Sequence, residues 1–255
     1  MAVKKVEDAE ITVLEITKGR VDFCVLGTTP LICNRMSQKV KQELLMPKGR
    51  KNAAEKASQL KHNPLDEFRD SPYVLTDPKA PTLIAGLATW FKAALCTAAL
   101  DMPGTRKAQI GRLTYVVGYM VPVFGLPKLM MSCTRSADMN KTPDVRTRAI
   151  LPEWACQVSI EFVRPIMREQ AVVNLLAASG ITMGVGDWRP QKGSGNFGQF
   201  KLVSASDKDY VRIMKQGREQ QIKAMAEALP FDDETSELLS WFTAESARRG
   251  FKVAA

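Results

Sequence analysis

Apolar positions recur along this chain in two periods, and the switches between them mark its elements. Ile11 to Ile16 alternates loosely and predicts a strand. Lys18-Gly19-Arg20 reads as a turn, and Val21 to Leu26 as a second strand paired with the first in a hairpin. After Pro78 and Pro81, residues Leu83, Leu87, Trp90, Phe91, Ala94, Leu95 and Ala98 fall at helical spacing, which predicts a helix over 83–100 ending at Met102-Pro103-Gly104. Leu113 to Phe124 is rich in Val and Tyr and reads as a strand, and Ala155 to Val163 alternates as another. Glu169–Ser179 predicts a helix with Val172, Leu175 and Leu176 on one face, and Phe200 to Val203 a closing strand. Two amphipathic helices follow, over 207–228 and 232–249, joined through Pro230.

Reduced to its core, the order is strand, helix, strand, strand, helix, strand. That is the α+β, ferredoxin-like (RRM-like) βαββαβ order. Two long insertions interrupt it, at 34–80 and 125–152, and the expected organisation is a core over 1–204 with a C-terminal helical segment over 205–255. The first insertion is polar. Over 34–61, Arg35, Lys39, Lys41, Lys48, Arg50, Lys51, Lys56 and Lys61 face only Glu43 and Glu55, with Pro47 and Gly49 as breaks. The second holds Pro127, Pro143 and Pro152 with Lys141, Arg146 and Arg148. Insertions of that length are costly to order unless they bind something.

Composition sharpens this picture. The 255 residues are 45% hydrophobic, enough for one large core or two modest ones. No apolar run is long enough for a membrane span, and the N-terminus lacks a signal-peptide pattern. Five cysteines stand singly, which argues against a disulfide framework and a zinc site and points to a reducing cytoplasm. The formal net charge of +9 is uneven: residues 1–204 carry 28 Lys and Arg against 18 Asp and Glu, and residues 205–255 carry 8 against 9. The basic excess suits a polyanion.

The richest candidate site runs from Gly184 to Phe200. It holds Gly184, Gly186, Gly193, Gly195 and Gly198 with Trp188, Arg189 and Lys192. Glycine lets backbone N–H groups crowd a phosphate. Arg189 beside glycines suits bidentate phosphate contact, and Trp188 offers either a stacking face or buried packing. Gly184-Val185-Gly186 followed by Gly195-Asn196-Phe197-Gly198-Gln199-Phe200, after a helix, resembles the glycine-rich loop of the RAMP superfamily, the RNA-binding proteins of CRISPR effector complexes. The segment Leu83 to Leu95, with Gly86, Lys92 and an Ala94-Leu95 pair, resembles that superfamily's first helix. The two insertions resemble those of the backbone subunit that coats the guide RNA. The likeness spans roughly residues 10–203 and departs in the length and Trp-Arg-Pro centre of the loop.

The resemblance implies a non-catalytic protein that binds single-stranded RNA (or DNA), with copies of itself along the strand and other effector-complex subunits as partners. It implies no cofactor, no metal and no membrane. The candidate contacts are Arg35, Lys39, Lys41, Lys48, Arg50, Lys51, Lys92, Arg106, Lys107, Arg112, Arg146, Arg148, Gly184, Gly186, Trp188, Arg189, Lys192 and Gly195. Alternatives are a phage single-stranded-DNA-binding or recombination protein, a RAMP-type endoribonuclease, and a binder of another protein's acidic face. For the ribonuclease, His62 is the only histidine and Asp144 and Asp187 lie in basic surroundings; a surface histidine is the plainer reading of His62. Asp232-Asp233-Glu234 opens a helix, where acids complement the dipole without a metal.

Overall fold

A computed structural model describes residues 13–46, 60–135, 142–192 and 195–251. Among them it holds ten strands and eight α-helices in a mixed α and antiparallel β arrangement. In chain order these are β1 (Thr17–Gly27), β2 (Leu31–Ile32), α1 (Gln38–Leu45), α2 (Pro64–Asp70), β3 (Tyr73–Val74), β4 (Ile84–Leu87), α3 (Ala88–Ala98) and α4 (Lys107–Leu113). There follow β5 (Thr114–Val116), β6 (Met120–Phe124), β7 (Lys128–Arg135), β8 (Pro143–Leu151), β9 (Ala155–Arg164), α5 (Glu169–Thr182), β10 (Phe200–Val203), α6 (Lys208–Ile213), α7 (Arg218–Glu227) and α8 (Asp233–Arg248). No helix of the described residues is long and apolar enough to cross a membrane.

The main sheet has the order β10-β1-β9-β6-β4-β3, with β5 also on β9, and every pair is antiparallel. Period-two alternation sorts its side chains. Phe23, Val25, Val158, Ile160 and Phe162 face α3 and α5, whose Phe91, Leu95, Val172 and Leu176 complete the main core. On the opposite face, Leu26 and Ala155 lie under Tyr210 and Ile213 of α6. The rest of that face carries a polar network. Lys18 pairs with Glu161 at 3.1 Å, Arg20 with Asp22 at 3.4 Å, and Arg20 also donates to Ser159 at 3.1 Å.

The second sheet has the order β2-β8-β7 and leaves the main sheet at the Gly27 end of β1. Leu129, Met131, Ala149 and Leu151 face the main core together with Phe68 of α2. Ile32, Met130 and Ile150 face the other way, packed by Trp188, Phe197 and Phe231.

Several expected elements differ. Residues 17–27 form one strand straight through Lys18-Gly19-Arg20, so there is no turn there. Gly19 serves close packing instead, since a Cβ would meet the Phe162 ring and the Arg164 side chain at 2.6 Å. Residues 13–16 form no strand, and 11–12 lie outside the described residues. The helix expected from residue 83 begins at Ala88, because Ile84–Leu87 pairs as a strand with β3 and β6. The basic loop holding Arg106, Lys107 and Arg112 contains a helix, α4. The strand over 113–124 is two strands broken near Gly118 (φ +85°). Within the second insertion, β7 and β8 pair antiparallel from Lys128↔Ile150 to Arg135↔Pro143, and 136–141 lie outside the described residues. The helix over 207–228 breaks into α6 and α7, where the Arg218 N–H donates to Pro81 O at 3.0 Å.

One buried side chain ties α7 to the main sheet. Gln221 Oε1 accepts from the N–H groups of Leu83 (2.8 Å) and Ile84 (3.0 Å). Its Nε2 donates to Val123 O (2.8 Å) and Gly125 O (2.9 Å). All four hydrogen-bonding capacities of the amide are used. Gln221→Leu strands two donors and two acceptors in the interior and is expected to cost at least about 3 kcal/mol. A calorimetric melt should show Tm lower by about 6–12 °C; a change within 1–2 °C would contradict this account of the contact.

Candidate nucleic-acid interface

The glycine-rich segment leaves α5 at Gly184 (φ +64°) and returns to β10 after Gly198 (φ +70°). Several of its backbone N–H groups are engaged. Gly184 donates to Ser179 O (2.9 Å), Val185 to Gly198 O (2.9 Å), Asp187 to Ile32 O (3.0 Å), Phe197 to Trp188 O (3.1 Å) and Gly198 to Pro30 O (2.8 Å). These five amides hold the loop to itself and to β2 and are not open to a phosphate. The glycines are there for backbone approach. A Cβ on Gly186 (φ +80°) would lie 2.6 Å from Ile32 O, and one on Gly195 would collide with Trp188 O.

Trp188 is left-handed at φ +47°, a conformation that costs a non-glycine residue about 1–2 kcal/mol. Its N–H donates to Asp187 Oδ1 at 3.1 Å, its carbonyl accepts from Phe197, and its ring packs 6.1 Å from that of Phe197. The half-buried indole borders a recess on the outer face of the second sheet. Arg146 and Arg148, two apart on β8, project from this face, with Ser132 directly across from Arg146 on β7. Arg148 Nε is 4.0 Å from Asp187 Oδ2, beyond hydrogen-bond range, and is a buried nitrogen with no partner among the described residues. Sequence reasoning missed Ser132 and Thr134. Only the register of β7 against β8 places them here, and neither residue type signals it.

Arg189 does not reach outward as expected. Its Nη1 donates to Gly186 O (2.8 Å) and its Nε to Gln191 Oε1 (2.9 Å), and Gln191 in turn donates to Thr97 of α3 (3.3 Å). It staples the loop, whereas Lys192 is exposed.

The other candidates do not join this surface. Lys39 and Lys41 lie on α1, where Lys39 Nζ donates to Leu60 O and Lys61 O, and Arg35 donates to Pro72 O at 3.5 Å. Lys92 of α3 and Lys107 of α4 lie near Cys96, whose thiol burial pushes up and the two ammonium groups push down. Arg106 is the N-cap residue of α4 and Arg112 lies in its last turn, both exposed. Lys48, Arg50 and Lys51 lie outside the described residues. On the polar face of the main sheet Lys18 and Arg20 pair with acids, and Lys201 of β10 is exposed.

A second cluster joins the two insertions. His62 Nδ1 lies 2.8 Å from Glu67 Oε1, and its Nε2 lies 3.0 Å from Asp144 Oδ1. Lys61 Nζ donates to that same oxygen at 2.8 Å. The Lys61 hydrogen bond, followed by those from His62, holds the Asp144 carboxyl below its ordinary range against the opposing effect of desolvation. Both imidazole nitrogens already face carboxylates.

No family model matches the chain, and no curated protein matches it. Among solved structures, the crystal structure of Cmr6 from Pyrococcus furiosus aligns with 73% of this chain and 98% of that chain, at 9% identity and a TM-score of 0.35. A score that low carries no argument about what this chain does.

Two outcomes follow from the geometry. Arg189→Ala should destabilise the fold by about 1–2 kcal/mol through two lost hydrogen bonds, while Lys192→Ala should stay within about 0.5 kcal/mol; chemical denaturation that ranks them in reverse would reject the staple. Asp144 has a lowered value in the fold, so its contribution is complete above the ordinary carboxylate range and fades as pH falls through the lowered value. Melting temperatures measured from neutral pH down to about pH 2 should therefore fall less steeply for Asp144→Asn than for the parent.

Proposed function

We propose that this chain is a non-catalytic protein that binds single-stranded nucleic acid, built on a ferredoxin-like core of RAMP type. One observation carries the binding reading. Arg146 and Arg148 stand beside Trp188 on the solvent face of the second sheet, with Ser132 and Thr134 next to them. Arginines and hydroxyls suit phosphate oxygens, and an indole face suits an unpaired base. The core reading is supported by the main sheet, where β10, β1, β9 and β5/β6 lie side by side with α3 and α5 on one face. Absence of catalysis is supported at His62, which has no free ring nitrogen for a scissile bond. Assembly of copies along the strand, and membership of an effector complex, rest on the sequence resemblance. Five unpaired cysteines are in keeping with work in the cytoplasm.

A second reading, a ribonuclease of the same fold, draws on one observation: His62 and Asp144, 82 residues apart, meet beside Lys61. Cleavage of labelled RNA that disappears in His62→Ala would replace the first reading with this one.

Fluorescence anisotropy with single-stranded RNA, single-stranded DNA and duplex of equal length tests binding. If six or more phosphates are contacted, affinity should fall about 10³-fold or more between 50 and 200 mM salt. Arg146→Ala with Arg148→Ala should lower the salt slope by about two, one per lost contact, on every sequence alike. A flat salt response in the parent would overturn the proposal.

A further inference from the structure

β8 is held unevenly along its two edges. On one side β7 pairs with it from Ile150 to Pro143. On the other, β2 covers only Leu151 and Ile150, and the Cys33 N–H donates to Ala149 O at 2.9 Å. The N–H groups of Ala149 and Thr147 on that edge meet no strand among the described residues. Two side chains of the first insertion take them instead. Ser71, buried just after α2, accepts from the Ala149 N–H at 2.7 Å through its Oγ and donates to Phe68 O at 2.9 Å. Glu67 Oε2 accepts from the Thr147 N–H at 3.3 Å.

The spacings match. Ser71 keeps helical backbone angles (φ −71°, ψ −27°), so it continues the face of α2 that carries Glu67 one turn earlier. Four helical residues rise about 6 Å, and two strand residues about 6.8 Å. The helix therefore presents two acceptors in step with two strand donors. Thr147 and Ala149 alternate with Arg146 and Arg148, so holding their amides fixes the roll of the backbone from which both arginines project. Without these bonds β8 beyond Ala149 belongs to a two-stranded ribbon, where twist is larger and stability marginal. Glu67 is held in its turn: its Oε1 lies 2.8 Å from His62 Nδ1, and His62 Nε2 lies 3.0 Å from Asp144 Oδ1 near the start of β8.

We infer that Glu67 and Ser71 are positioning residues for the arginine pair: α2 stands in for the missing strand beside β8 and so aims Arg146 and Arg148 toward a bound phosphate. Neither residue lines the outer recess. The role rests on the proposed binding at that face. Its sign sets it apart from plain electrostatics. Glu67 carries a negative charge, and removing that charge should by field alone tighten the hold on a polyanion. Lost aim weakens it.

Fluorescence anisotropy with a single-stranded oligonucleotide compares Glu67→Ala with Glu67→Gln, at a temperature where thermal melts show both folded. Both remove the charge, but the glutamine amide keeps an oxygen for the Thr147 N–H. Glu67→Gln should bind at least as tightly as the parent. Glu67→Ala should bind more weakly than either, with a salt slope lower by about one or two. Added to Arg146→Ala with Arg148→Ala, it should weaken binding no further, because the groups it aims are gone. Hydrogen exchange without nucleic acid should show the Thr147 amide opening about tenfold faster in Glu67→Ala than in the parent. A Glu67→Ala protein that binds as tightly as Glu67→Gln, an additive loss in the triple variant, or an unchanged Thr147 amide overturns the inference and leaves the proposed function standing. A parent that does not bind, or an arginine pair whose loss changes nothing, removes the proposed function and the inference with it.

Discussion

The outer face of this molecule depends on backbone meeting backbone where β2 passes the glycine-rich loop. β2 is only two residues long and pairs with β8 through Leu31 and Ile32 alone. Two further hydrogen bonds, from Asp187 to Ile32 O and from Gly198 to Pro30 O, hold it from the other side. They form only because Gly186 and Gly198 have no Cβ to intrude on Ile32 O and Val185 O. The loop thus acts as the missing neighbour of β2 and fastens the second sheet to the end of the first. It also fixes the indole of Trp188 against Ile32, Met130 and Ile150. The left-handed backbone of Trp188 is tolerated because the bonds on either side leave it no alternative.

Elements with a single clear period were legible in the sequence. Phe200–Val203 forms as read, and the α5 helix begins at Glu169 as expected and runs three residues further. Where a short apolar run could belong to either period, sheet pairing decided. Ile84–Leu87 fits a helical stripe, yet two neighbouring strands claim its backbone. Lys18-Gly19-Arg20 carries a turn signature, but its glycine answers to the Phe162 ring across the sheet, a demand that no local pattern shows. The break between α6 and α7 likewise follows a carbonyl of Pro81 distant in the chain. At the candidate site, composition found Arg146, Arg148 and Trp188 but could not say that they meet. It also took Arg189 for a surface cation, because its carbonyl and amide partners lie inside its own loop.

Net charge is a poor guide to where a polyanion sits. The basic excess divides among α1, the α3–α4 corner and the second sheet, and local pairing removes much of what remains. Lys18, Arg20 and Lys61 each have a carboxylate within 4 Å. Exposed pairs of this kind add little stability, but they leave the open face of the main sheet close to neutral. The RRM module binds RNA by stacking bases on aromatics of its own open sheet face. Here that face carries an ion-pair network and α6, which moves the binding reading to the second sheet.

Under the proposed function, that placement has a physical consequence for what would be bound. Trp188 is held by hydrogen bonds to its own peptide groups and by Phe197, so its ring is set before any ligand arrives. A preset ring loses little conformational freedom on binding. Arg146 by contrast is exposed, and it can follow a phosphate. A fixed stacking face beside an adjustable cation selects for a base that can leave its neighbours, because a base inside a duplex already has both faces covered. On the proposed function, preference for single strands would come from access to the indole, with no hydrogen-bonding code for the base, and the same arrangement would accept any sequence.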